Sequence, residues 1–287
     1  MLGTENLYTA AQTRALDQCA IYEHNIAGIT LMSRAADATL RYLLEVWPEP
    51  ERLQIICGTG NNGGDGFLIA DLAHKRGINV TVFRLGDPRK VSGDAALALQ
   101  QAQANGVKIV PFQPDLLMSE GVVVDAMLGT GLGGEVRGVV VEAIAAVNAC
   151  TAPVLAVDIP SGLCADTGTV LGSAVAADLT VTFIALKRGL FTLQGPEYSG
   201  AVQFSDLAVS PEVFAAVPAH CARLALEPLL ECLPPRSASA HKGMFGNVLV
   251  VGGDYGFAGA AAGAAAAAPT PASLSTAATA CTGSAPS

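Results

Sequence analysis

Leu53–Gly66 reads LQIICGTGNNGGDG, an apolar run that stops abruptly at glycine and passes into a loop of five glycines, two asparagines and an aspartate within nine residues. A short apolar run with β-branched residues predicts a buried strand. Glycines directly after a strand permit positive φ and let a ligand approach the backbone. Loop amides leading into a helix form an anion site suited to phosphate. A plain turn also uses Gly, Asn and Asp for their backbone freedom, but eight such residues in nine exceed what a turn requires. The stretch is neither GxGxxG nor a P-loop, because Asn61 and Asn62 interrupt it and no GK[ST] follows.

Outward from this segment the pattern repeats. Phe67–Arg76 is amphipathic, 78–84 alternates with β-branched residues, and 95–105 reads as helix. Segments 121–125, 153–158, 179–184 and 201–206 read as further strands, and 139–149 as a helix. Upstream, the first fifty residues read as helical, with Ala10–Ile21 and Ile29–Trp47 spaced at three and four residues, until Pro48 and Pro50 intervene. Strands alternating with helices predict an α/β fold of βαβ units, a parallel sheet with helices on both faces. In such sheets ligands bind beyond the carboxyl ends of the strands. Segments 58–66, 125–134 and 158–162 all follow strands, so the pattern predicts that they converge on one crevice.

Composition narrows the function. The chain has 287 residues and a net charge of −9. That balance argues against a nucleic-acid or anionic-membrane surface, which needs a basic patch. No run of bulky apolar residues is long enough for a membrane span, and the first residues lack the apolar core of a signal peptide. Seven cysteines without a CxxC pair argue against a zinc site and for a reduced, cytoplasmic protein.

Two further strand ends carry chemistry. Asp125 closes an apolar run and precedes a second glycine-rich loop, Met127–Gly134. Asp158 closes another and opens DIPSG. Each aspartate taken alone is equally an Asx turn. Together with the first loop they point to a site, in which a tuned carboxylate can act as general acid or base. Lys187 with Arg188 could face an anionic ligand, but a solvated surface pair is the favoured reading. His24, His74 and His220 have no partner spacing, and Ser161 lacks GxSxG and a histidine, which excludes a hydrolase triad.

NNGGDG, DA-x-x-GTG-x-x-G and DIPSG, in that order, together with YTAAQTRALDQ and GITLMSRAADA at the start, resemble the NAD(P)H-hydrate epimerases, the YjeF-type N-terminal domain family. The resemblance covers about residues 6–225. It implies a Rossmann-like three-layer αβα fold with a mainly parallel sheet. It also implies a substrate, hydrated NADH or NADPH (NADHX or NADPHX), whose R and S forms at C6 are interconverted so that a separate dehydratase can restore the cofactor. The family's substrate contacts fall on Asn61, Asn62, Gly63, Gly64 and Asp65, on Gly129, Thr130, Gly131, Leu132, Gly133, Gly134 and Glu135, and on Asp158. Its potassium ion (K+) falls on Asn62, Asp125 and Ser161. Asp158 is the expected catalytic residue. Glu135 departs from the small or proline residue of many relatives, and an acidic side chain there is compatible with a phosphate only if it points away. A homodimer is consistent with the helical start. The rival readings are a dinucleotide oxidoreductase, which wants GxGxxG, and a non-catalytic member with a retained pocket.

The sequence changes character near residue 225. Pro234–Ser237 reads as a linker, and 241–260 resembles the first strand and turn of the fused ADP- or ATP-dependent hydrate dehydratase. The expected organisation is therefore an epimerase domain over 1–225, a linker with a vestigial dehydratase start over 226–260, and a low-complexity tail over 261–287. Disorder of the tail and no dehydratase activity are expected.

Overall fold

The computed structural model describes residues 4–224. A central sheet of seven parallel strands runs in the order β4-β3-β2-β5-β6-β7-β9. In chain order these are β2 (Leu53–Cys57), β3 (Val80–Arg84), β4 (Lys108–Pro111), β5 (Val122–Ala126), β6 (Val154–Val157), β7 (Leu179–Phe183) and β9 (Ala201–Ser205). Strands β2, β5, β6 and β7 are buried at every position. Both faces of an interior parallel strand are covered, so its sequence reads as an unbroken apolar run. This is why LQIIC, VVVDA, VLAV and LTVTF are recognisable from the sequence.

One face is covered by α2 (Gly28–Val46), α3 (Asn61–Lys75) and α4 (Gly93–Ala104). The other is covered by α5 (Val139–Ala149) and the segments flanking it. The expected Rossmann-like, three-layer architecture is therefore present, and the sheet is wholly parallel. The chain leaves β2 towards β3 on one side, while β5 lies on the other. The crevice at this reversal, beyond the carboxyl ends of β2 and β5, is where such sheets take ligands.

Several local expectations are corrected. The helix after β2 starts at Asn61, not Phe67, so the first glycine-rich stretch is a loop only over 58–60. Residues 108–111, unassigned from the sequence, form the edge strand β4, which is too exposed to carry a strong apolar signal. The start of the chain is not all helical. β1 (Thr4–Tyr8) precedes α1 (Ala10–Gln18), which Thr9 and Gln12 begin with reciprocal capping bonds, and a π-helical turn follows over Cys19–Glu23.

β1 is the middle strand of a separate three-stranded ribbon. It pairs parallel with β8 (Leu186–Lys187) and antiparallel with β10 (Cys221–Leu224). Between the last two lie the short helices α6 (Gly195–Ser199) and α7 (Pro211–Ala216). No helix among the described residues is long and apolar enough to cross a membrane. The expectations for the dehydratase start and the tail concern positions outside the described residues.

Candidate active site

A cleft of about 710 Å³ opens at the reversal point, within the size range of small-molecule and cofactor sites. The three segments singled out in the sequence do converge on it. Asn61, Asn62 and Asp65 line it from α3, Gly129–Gly133 from the segment after β5, and Asp158 from the end of β6. Gly63 and Gly64 lie behind this wall, buried. Gly134 and Glu135 are outside the lining, and the exposed Glu135 points towards Gly172. Asp125 and Ser161 lie beneath the surface, fully or almost fully buried.

The first wall is a helix end. Gly60 is the N-cap of α3 and supplies no side-chain cap. The first helical bond runs from the Gly64 amide to the Gly60 carbonyl, so the amides of Asn61, Asn62 and Gly63 precede the ladder. Free amides at the positive end of a helix dipole form a phosphate cradle. None of the glycines in Gly58–Gly66 has positive φ, so the expectation that they supply unusual φ values fails. They serve close packing. A Cβ on Gly58 would overlap the Met127 carbonyl, and one on Gly63 the Gly58 carbonyl. A Cβ on Gly66 would lie 2.6 Å from both Ala126 Cβ and Cys57 Sγ. These glycines press α3 onto β2 and β5 and so set the depth of the cradle. Gly60, Gly131 and Gly133, in contrast, face open space.

The second wall rests on a buried polar network. Asp125 accepts hydrogen bonds from Ser161 Oγ (2.6 Å), the Ser161 amide (2.8 Å) and the Met127 amide (3.1 Å). Ser161 Oγ in turn accepts from the Leu128 amide at 2.9 Å, and Asn62 Nδ2 donates to the Leu128 carbonyl at 2.9 Å. Burial raises the Asp125 carboxyl to about 6, against the opposing effect of these hydrogen bonds. Asn62 Oδ1 is buried and has no hydrogen-bond partner. An orphaned buried oxygen is costly unless a ligand or ion completes it. The three positions expected to hold an ion, Asn62, Asp125 and Ser161, are thus gathered around Leu128. Their donors are all oxygens, as a hard cation prefers.

At the floor, Asp158 has φ of +69°. The Ile159 amide bonds back to the Val157 carbonyl at 2.8 Å, which closes a γ-turn of the strained, positive-φ kind. The Asp158 amide is tied to Val181 of β7 at 2.7 Å. The carboxylate is ion-paired with Lys187, which is 1% exposed and also donates to Thr182 Oγ1 (3.0 Å) and the Phe183 carbonyl (2.8 Å). Lys187 is therefore no solvated surface cation. Its register is set by β1, since Tyr8 lies opposite Lys187 in the ribbon. A strained residue held by several neighbours marks a functional position.

Asp17 of α1, unremarked in the sequence, also lines the cleft. Burial pushes its carboxyl up to about 6, with Lys187 opposing and Asp158 reinforcing the rise. Asp65 is raised well above its ordinary value by burial, with Asp158 and Asp17 adding to it. A carboxyl raised on folding holds a proton that the unfolded chain has already released. Its stabilising contribution is full below the unfolded value and is lost as pH rises through the folded one. For Asp17 the window runs from 3.8 to about 6. Asp17→Asn should therefore melt like the parent protein at the acid end and hold an advantage of up to about 3 kcal/mol above the window. Thermal unfolding at both ends checks this, and an equal difference at the two pH values would refute it.

Comparison with known proteins identifies the family to which the chain is similar. A family profile described as "YjeF-related protein N-terminus" matches residues 28–189. The bifunctional NAD(P)H-hydrate repair enzyme of Coxiella burnetii is 45% identical over 254 residues, which cover 88% of this chain and 52% of that protein. The enzyme of the same name from Escherichia coli is 37% identical over 239 residues, covering 82% and 46%. The chain thus spans about half the length of these curated relatives. An NAD(P)H-hydrate epimerase of Limosilactobacillus fermentum is 41% identical over 207 residues, which cover 71% of this chain and 97% of that protein. The crystal structure of the yeast protein ynu0 superposes with a TM-score of 0.60 at 18% identity, covering 69% of this chain and 86% of that one. At that identity the match concerns the fold alone.

Proposed function

This chain belongs to the family of YjeF-related N-terminal domains, and from that membership we propose that it is an isomerase that interconverts the R and S forms of hydrated NADH and NADPH. One observation carries the reading. A carboxylate fixed on a strained turn and pinned by a buried lysine shares a cleft with a helix end able to hold a phosphate. A hydrated dinucleotide presents both a reactive ring carbon and phosphates. The relatives' names favour this reading over a hydride-transferring oxidoreductase or a non-catalytic binder.

The proposed chemistry is acid–base catalysis at C6. The ring nitrogen assists departure of the hydroxyl, and the planar cation that forms can take water on either face. Asp158 stabilises that cation electrostatically and moves protons. The amides at the start of α3 hold the phosphates, and the open glycines Gly131 and Gly133 leave room for the substrate along the second wall. Asn62, Asp125 and Ser161 with the Leu128 carbonyl fit a potassium ion, which would contribute fixed positive charge and tie the two walls together. Asn62 Oδ1, otherwise without a partner, is the donor that such an ion completes. The product serves a dehydratase specific for one epimer. That partner and a cytoplasmic setting belong to the proposal, and the described residues themselves are assigned epimerisation only.

The test is chiral resolution of NADHX and NADPHX over time. With protein in potassium buffer, epimer exchange should exceed the spontaneous rate clearly, and replacing potassium by lithium or choline should slow it. Exchange at the spontaneous rate in potassium buffer would overturn the enzyme reading, and a rate indifferent to the cation would overturn the ion site.

A further inference from the structure

Six ionisable side chains line the cleft: Arg14, Asp17, Asp65, Asp94, Asp158 and Lys187. Their partners divide them. Lys187 spends its three donor hydrogens on Asp158, Thr182 and Phe183, so it has none left to lend to a substrate. Asp17 and Asp65 make no side-chain hydrogen bond and no ion pair among the described residues. Among the described residues, the buried cation of the cleft is thus committed to one of three neighbouring carboxyls. The other two face the cavity without a direct partner, and Lys187 offsets the effect of burial on them only in part. Carboxyls in such a place hold a proton to higher pH than they do in water.

We propose that Asp17 is a second catalytic carboxyl, the group that hands a proton to the departing C6 hydroxyl while Asp158 serves as the partner base. This rests on the epimerase reading above. In the forward step the C6–O bond breaks and its electron pair leaves with oxygen. The Asp17 carboxyl proton moves to that oxygen, so water departs, and the N1 lone pair closes an N1=C6 double bond. Water then attacks C6 from the other face, an oxygen lone pair forms the new C6–O bond, and the surplus proton goes to the Asp158 carboxylate. Exchange through water returns that proton to Asp17, and the reverse reaction runs the same steps backwards.

Asp17 suits the donor role better than Asp65. Asp65 lines the cavity from α3, four residues after Asn61 at the start of the amides that would hold phosphate, whereas Asp17 lines it from α1, apart from those amides. Asp17 at about 6 can release and regain a proton near neutrality, whereas burial holds Asp65 well above its ordinary value.

The experiment is kcat against pH for the parent protein, Asp17→Asn and Asp17→Glu, after subtraction of spontaneous exchange. Asp17→Asn is expected to lower kcat by about 100-fold or more, leave KM within about threefold, and abolish the fall in rate on the alkaline side of about 6. Asp17→Glu should restore part of the rate and the limb. Asp17→Asn within threefold of the parent rate overturns the proposal. So does a slow variant whose pH profile keeps the parent's shape, since that is the mark of a structural role. A parent protein that accelerates nothing brings down the epimerase reading, and this proposal with it.

Discussion

Asp158→Asn is expected to lower kcat for epimerisation by about 100- to 10,000-fold, the range for loss of a positioned proton carrier. The substitution is nearly isosteric and keeps an oxygen for Lys187 to contact. It removes only the charge and the ability to exchange a proton. The γ-turn does not depend on the carboxylate, because its closing bond and the tie to β7 are both made by backbone groups. Substrate affinity should therefore change far less than turnover. Equilibrium binding, measured separately, distinguishes the two. Epimerisation at the parent rate would remove Asp158 from the mechanism. The Lys187 amine, left inside without its countercharge, should lower the melting temperature of the variant as well, since breaking a buried pair costs about 3–5 kcal/mol.

Gly66→Val should disrupt the fold near the site by packing alone, costing about 3 kcal/mol, the upper end for an overpacked core. A single Cβ there would meet Ala126 Cβ and Cys57 Sγ at 2.6 Å, and valine adds two further methyls. Those neighbours belong to β2 and β5, the strands that flank the reversal point, and both are fully buried. Gly131→Ala makes the useful contrast. Its Cβ meets nothing within 4 Å, so stability should stay within about 0.5 kcal/mol, as for an ordinary surface substitution. Denaturant midpoints at unchanged slope would decide the matter. A Gly66→Val protein within 1 kcal/mol of the parent would show that α3 is not pressed onto the sheet as described.

The central strands were legible because burial on both faces leaves an uninterrupted apolar run. The convergence of the three segments followed from placing each at a strand end in a parallel sheet. The start of α3 was hidden for a physical reason. Asn and Gly are poor helix formers, and the first turn is held by packing against the sheet and by α2 and α4 rather than by propensity. The same concealment affected the glycines. Sequence suggests backbone freedom, whereas only the fold shows the Met127 carbonyl and Cys57 on the other side.

Lys187 and Asp17 were missed in different ways. Lys187 sits next to Arg188, and two cations in a row read as surface. What buries Lys187 is a carboxylate on another strand and a ladder to the beginning of the chain, neither of which is local. Asp17 is a single acidic residue on a helix with mixed faces, and nothing in its neighbours' identities separates a cleft wall from solvent.

The ribbon that seats Lys187 also bears on the order of events as this region folds. β1 precedes the central sheet in sequence, yet its partners β8 and β10 lie far along the chain, with Thr4 opposite Leu224 and Tyr8 opposite Lys187. Pairings between segments far apart in sequence carry a larger loop-closure cost and slow folding. The central sheet can assemble from β2 to β9 without them. The strand that carries Lys187 is therefore seated by contacts of long sequence separation, so a half-folded chain can own a complete cradle and still lack an armed site.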